Sequence, residues 1–330
     1  DAANNSMYTH DVSGTDSTAQ NNTAYGFSNL QSITTGDNNT AIGRNAGGSL
    51  NTGSNNNILG SFAGDALTGG QNNVAIGFGA LSAETTGSQT VAIGHQALLV
   101  QEVQGDSYNT AVGFEAGKSV TSGVNNTLIG GLAGDALTIG QKNVAVGYLA
   151  LSADVEGADN VAIGNGAMAA TDNARANVAI GFNSLYSLDY ASLTYSYNIG
   201  IGFNAGKLIT TGIRNVLIGG LAGDALTTGS SNIAIGLQAL STEDEHGFNI
   251  AIGHNALASQ NAGADAYNVA IGHLAGEDIT TGTENTLVGG LAGDALTTGV
   301  RNTAVGYAAL SQEDAHGTNV AIGYAALSVQ

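Results

Sequence analysis

The chain has 330 residues, with 50 glycines, no proline, cysteine or tryptophan, and a formal net charge of −19. That acidity excludes recognition of DNA or RNA through the phosphate backbone, which needs clustered Lys and Arg, and disfavours an anionic membrane surface. Without cysteine there is no disulfide and no thiolate metal site; with 42% hydrophobic against 10% charged residues, the composition is not that of a disordered chain.

Residues 1–20 carry no repeat and are expected to be an N-terminal lead-in. No charged and apolar leader is visible, so a mature or excised fragment is the simplest expectation. No run of about 18 apolar residues occurs, so no membrane-spanning helix is expected. Residues 21–330 are predicted to be one continuous repeat domain.

The period is read from the glycine that closes each triplet of the "AIG" type. These anchors are Gly26, Gly43, Gly60, Gly77, Gly94, Gly113, Gly130, Gly147, Gly164, Gly181, Gly202, Gly219, Gly236, Gly253, Gly272, Gly289, Gly306 and Gly323. Fourteen of the seventeen spacings are 17 residues; the others are 19, 21 and 19. A helical-hairpin repeat needs about 34 residues or more. The phrase Asn73-Val74-Ala75-Ile76-Gly77 alternates as a short strand does. Val74 and Ile76 share one face, Asn73 lies opposite near Ala75, and the apolar column before each glycine is expected to be buried at every turn. The glycine turns the chain where positive φ is cheap. A second short strand is predicted at the following Ala-Leu pair. The predicted fold is therefore all-β, a parallel β-solenoid (β-roll) of about eighteen 17-residue coils. At ~4.8 Å per coil it would make a rod on the order of 85 Å long.

Four residues before the anchor stands an asparagine in all coils but one, where Thr90 replaces it. The column is Asn22, Asn39, Asn56, Asn73, Asn109, Asn126, Asn143, Asn160, Asn177, Asn198, Asn215, Asn232, Asn249, Asn268, Asn285, Asn302 and Asn319. It is read as a structural ladder of stacked amides, each bonding the next, rather than as a ligand-binding array.

A slower rhythm overlies the first. Four residues after the anchor the chain reads Leu30, Gly47, Gly64, Leu81, then Leu98, Gly117, Gly134, Leu151, and so on, with one extra large residue near Met168. In the coils of Gly64, Gly134, Gly223 and Gly293 the small residue before the apolar column becomes Ile58, Leu128, Leu217 or Leu287. A large residue gained beside a small one lost implies compensating volumes at close-packed density.

The longer spacings follow Gly94, Gly181 and Gly253, and each insertion ends in Tyr-Asn: Tyr108-Asn109, Tyr197-Asn198 and Tyr267-Asn268. The longest places Tyr186, Tyr190, Tyr195 and Tyr197 on one loop, expected to be exposed. Tyrosine offers contact area with a polar tip at low entropic cost, so these four are candidates for surface or glycan contact, with a clip on the rod or a neighbouring chain as the alternative.

Other candidate chemistry has duller readings. Asp65, Asp135, Asp224 and Asp294 recur in "GDALT" and are read as turn residues bonding nearby backbone rather than Ca²⁺ ligands. An acidic loop comprises Glu84, Asp154 with Glu156, Glu243-Asp244-Glu245 and Glu313-Asp314, with His246 and His316 beside the last two. It is read as a solvated edge that discourages sideways β pairing rather than a metal site. The residue after the anchor is often aromatic or His, as at Phe78, His95 and Phe114, and is expected to pack between coils or chains. No nucleophile elbow or phosphate loop is present, and no catalytic residue, metal or cofactor is expected.

The phrase Asn-x-Ala-(Ile/Val)-Gly-x-x-Ala-Leu resembles repeats of bacteriophage tail-fibre proteins, and is similar to the head repeats of trimeric autotransporter adhesins. It covers the chain from about Asn22 to Leu327. The resemblance implies a β-solenoid assembled as a homotrimer, outside a cell or on a virion, touching surfaces. Within these residues no heptad stalk, membrane-anchor barrel or tip domain of such proteins is recognised, so at most their shaft or head portion is expected. The expected role is the shaft or head of a surface fibre that presents loops for attachment. Alternatives are a filament subunit stacking end to end and a module gripping a host glycan through its Tyr loops. Expected partners are further copies of the chain and a surface glycan, with no nucleic acid and no membrane insertion.

Overall fold

The computed structural model describes residues 7–8, 18–312 and 314–328. Among them there is no helix, and within each of the two units described below every repeat phrase is a three-residue strand paired in parallel with the next. The protein is a parallel β-solenoid of about eighteen coils. The chain divides into two compact units, 1–160 and 161–330.

In the first unit the strands run from Thr23–Tyr25 through Val74–Ile76 to Val144–Val146, one per coil. The register is that of like on like: Val74 faces Val91, Ala75 faces Ala92 and Ile76 faces Ile93. Met7–Tyr8, inside the expected lead-in, pairs with Thr23 and Ala24; most of the remaining lead-in lies outside the described residues. The second unit repeats the scheme from Val161–Ile163 to Val320–Ile322, and adds a small parallel pair, Asp172–Arg175 with Asp189–Tyr195.

The facing of the strands corrects the sequence reading. The middle alanine of the phrase is buried in coil after coil, Ala75 and Ala92 among them, while Val74 and Ile76 are only half-buried and Ile42 is 40% exposed. The apolar column before the glycine therefore looks outward. The reason is volume. A coil of 17 residues encloses a narrow interior, and that interior is already occupied by the buried ladder asparagine and by the Ala80-Leu81 pair. A β-branched side chain pointing inward would overpack it.

The second strand is absent as well. Ala80-Leu81 lies in a turn, and Leu81 has φ +56°. The same position is left-handed in every coil, whether Leu, Met or Gly. A left-handed leucine costs roughly 1–2 kcal/mol, which burial of its side chain, worth about 1.5–3 kcal/mol, offsets.

The compensating volumes are present. A Cβ on Gly47 would stand 3.0 Å from Ile58 Cδ1, and one on Gly64 would meet the same atom at 3.5 Å. One large residue thus fills the space left by two glycines. The anchor glycines have a different duty: Gly43 has φ +134°, and a Cβ on it would lie 2.7 Å from the carbonyl oxygen of Gly60 in the next coil. Backbone approach along this column leaves no room for any side chain.

Candidate functional surface

Three features could carry function: the buried polar column, the outward strand face with its aromatic border, and the longest insertion.

The ladder asparagines are buried, and their bonding is more exact than stacked amides. Each Oδ1 accepts the backbone N–H of the next ladder residue, as in Asn39 N to Asn22 Oδ1 at 2.8 Å and Asn73 N to Asn56 Oδ1 at 3.0 Å. In most coils Nδ2 donates to a carbonyl fourteen residues on, as in Asn73 to Gly87 and Asn143 to Gly157, both at 2.9 Å, while Asn177 and Asn249 donate to the carbonyls of Arg175 and Gly247. Direct amide-to-amide bonds occur in some coils, such as Asn56 Nδ2 to Asn39 Oδ1 at 3.0 Å. With both ends of the amide committed to protein partners, the column has no capacity for a ligand.

The acidic loop is corrected in part. Glu84, Asp154 and Glu243 are fully buried. They occupy the column that holds Leu50 and Leu67 in the glycine-type coils, seven residues after the anchor. Each caps the turn that follows: Gly87 N donates to Glu84 Oε1 at 2.6 Å, Gly157 N to Asp154 Oδ1 at 2.8 Å, and His246 N to Glu243 Oε1 at 3.2 Å. In the first unit Gln101 Nε2 also donates to Glu84 Oε2 at 3.1 Å and to Thr90 Oγ1 at 3.2 Å, so the one break in the asparagine column is bridged by a buried polar network. Burial pushes the Glu243 carboxyl above its ordinary range, against hydrogen bonds from His246. Glu245 remains exposed and Asp244 half-buried, as a solvated edge would be, and Glu313 lies outside the described residues.

Glu243, Asp244 and His246 bring one ligand atom each within 4.8 Å of one another. His246 Nδ1 lies 3.2 Å from Glu243 Oε1, the oxygen that already caps the turn. The geometry is that of a capped turn with a histidine folded over it.

The repeating aspartates are half-buried. Asp65 accepts from Ser82 Oγ at 2.6 Å and from Asn45 Nδ2 at 3.3 Å, so its first partners are side chains of adjacent coils rather than the backbone of its own turn. Burial raises the carboxyls of Asp135, Asp224 and Asp294.

In each unit the outward strand face carries mainly Val, Ile and Thr. Along one margin the residues after the anchor glycines stack coil upon coil. Phe78, His95 and Phe114 follow one another at 5.5 and 5.2 Å between ring centroids, nearly parallel. In the second unit Phe182 stacks on Phe203 at 5.5 Å and Tyr307 on Tyr324 at 5.7 Å. The rings pack between coils, yet Phe78 and Phe114 are 49% and 54% exposed. No protein-family model and no curated protein matches the chain. Its surface chemistry must be read from its own residues.

The four insertion tyrosines do not act alike. Tyr190 is a correction: it is only 5% exposed, and its hydroxyl donates to Gly212 O at 2.8 Å and accepts from Asn198 Nδ2 at 3.3 Å. It does the work of Gln101 and Gln260, which accept from Asn109 and Asn268 at 2.8 and 2.6 Å. All three insertions thus place a buried polar side chain eight residues before the ladder asparagine. Tyr186 is half-buried. Tyr195 and Tyr197 are 51% and 56% exposed and stack on each other. The insertion itself is largely strand, paired with Asp172–Arg175, rather than a free loop.

Proposed function

We propose that this chain is a structural segment of a surface fibre, a shaft or head of the tail-fibre or adhesin kind, assembled as a homotrimer outside a cell or on a virion. One observation supports the reading above others: in the repeat strands the residues on either side of the buried middle position, mostly Val, Ile and Thr, face outward. Eight rungs about 4.8 Å apart, each about 10 Å long, give the first unit alone a face of roughly 400 Å². Exposed apolar patches of that order commonly mark a partner surface. A ladder of like residues in register is self-complementary along its length, so other copies of the chain are the natural partner. The reading assigns the protein a mechanical role with no catalysis. The resemblance of its repeat phrase to those of fibre proteins points the same way.

The experiment is sedimentation equilibrium or mass-resolved chromatography of the purified chain. A trimer supports the proposal, and a monomer at tens of micromolar removes it. A second reading, attachment to a glycan, is favoured by the exposed aromatic pair Tyr195 and Tyr197.

A further inference from the structure

The longest insertion differs from the other two in what surrounds its tyrosines. The parallel pair sets Arg175 in register with Tyr195, and the guanidinium carbon lies 5.6 Å from the ring centroid. Tyr195 and Tyr197 stack at 5.9 Å with 22° between planes. Arg214, exposed, follows Tyr197 in the column of left-handed residues that precede the ladder asparagines; its backbone N–H donates to Ser196 O at 2.7 Å, fixing it one rung beyond the ring pair. The other insertions lack this. Tyr108 donates to Asp106 Oδ2 at 3.2 Å, and Tyr267 stacks on Phe248 at 5.2 Å.

We propose that Tyr195, Tyr197, Arg175 and Arg214 form a binding site for an acidic saccharide. The inference rests on the attachment reading and gives it a ligand class. The chain holds only seven Lys and Arg against 26 Asp and Glu, yet one of the seven lies over a ring of this aromatic pair and a second stands on the adjacent rung. Half-exposed rings supply an apolar face with a polar tip, which suits the C–H face of a pyranose. Guanidinium groups pair with carboxylate or sulfate through a planar fork of donors. Arg175 adds an independent sign: its Nε is buried without a hydrogen-bond partner. Tyr190, clamped to Gly212 and Asn198, holds the base of the insertion, so the platform is formed before any ligand arrives. The net charge of −19 would repel a polyanion from the rest of the surface and confine it to this patch.

The test uses the full chain and biolayer interferometry with three polymers: polygalacturonic acid, neutral dextran and polyglutamate. Binding to polygalacturonic acid alone is expected, with Tyr197→Ser and Arg214→Ala each weakening it at least tenfold and Tyr108→Ser leaving it unchanged. Circular dichroism and melting curves identify any variant that has lost its fold, and Arg214, being exposed, provides a substitution that spares it. Absence of binding, equal binding to dextran, equal binding to polyglutamate, or full affinity in both variants would each overturn the proposal. Molar mass measured on the same samples separates the two readings: a monomer that binds removes the trimer and keeps the site, and a trimer that does not bind does the reverse.

Discussion

Leu128 fills the volume that a side chain on Gly134 would need: a Cβ there would stand 2.8 Å from Leu128 Cδ2. Gly134 also has φ +58°. Gly134→Ala is therefore expected to cost roughly 2–4 kcal/mol, part from overpacking and part from the left-handed backbone. Leu128→Ala alone should cost about 2–5 kcal/mol through the cavity it leaves. Combined, the two should cost less than their sum, because the cavity receives the added methyl. Chemical denaturation of the four-member cycle checks this, and strict additivity would show that the slow rhythm is not a packing code.

Asn143→Ala would leave the Gly157 carbonyl without its donor and the Asn160 N–H without this acceptor, both in the buried column. The expected loss is about 2–4 kcal/mol from two unsatisfied buried groups. The denaturation midpoint reports it. A loss below about 0.5 kcal/mol would mean that the amides do not tie the coils together.

Tyr190→Phe removes a hydroxyl bonded to Gly212 and Asn198 while keeping the ring. A destabilisation of about 1–3 kcal/mol is expected, read from the same midpoint. Tyr197→Phe, on the exposed side of the insertion, should be within about 0.5 kcal/mol of the parent.

Charges on the outward face separate assembly from folding. Val74→Asp with Ile76→Asp should yield dispersed single chains whose far-ultraviolet circular dichroism is that of the parent, whereas Ala75→Asp on the same strand should unfold its coil. Sedimentation velocity distinguishes these outcomes. An unchanged sedimentation coefficient in the double variant would show that this face is not where copies meet.

Glu243 gives a pH dependence with a definite sign. Burial raises its folded pKa above the ordinary value, so between that value and the raised one the folded chain holds a proton that the unfolded chain has released. Stability contributed by this group is then greatest at acid pH and declines as pH climbs from about 4.5 through the folded pKa. Glu243→Gln keeps an oxygen for the His246 N–H without the charge, and should raise the neutral-pH melting temperature more than the one at pH 4. Equal shifts at both pH values would deny the buried carboxylate this role.

The repeat architecture was legible because one phrase recurs in phase, and parallel stacking is the arrangement that brings Val74 onto Val91 and Ala75 onto Ala92. The inside of the coil was harder to read. A large-small-large triplet has the same alternation whichever side is buried, and size alone favoured the wrong side. The clue lay in parity: Asn73 and Ala75 share a face, and the polar column needs partners that only the interior offers. Leu81 carries no local signature of a left-handed turn, so the sequence pattern suggests a strand where the structure has a turn. Glu84, Asp154 and Glu243 read as solvated because carboxylates usually are, although their shared column with Leu50 and Leu67 marked them as interior. Tyr190 looks like its exposed neighbours in sequence because spacing does not reveal which side of a strand pair faces the core.

All three departures from the 17-residue spacing fall in one stretch of the coil, between the buried residue seven past the anchor and the next ladder asparagine. Two extra residues lie there after Gln101 and after Gln260, and four after Leu188, and in each case the following strand regains its register. Elsewhere a change of one residue would turn every inward side chain outward. The architecture therefore has a cassette position: foreign peptides grafted between Glu84 and Thr90, where no natural insertion occurs, should be displayed at the surface without altering the pitch of the scaffold that carries them.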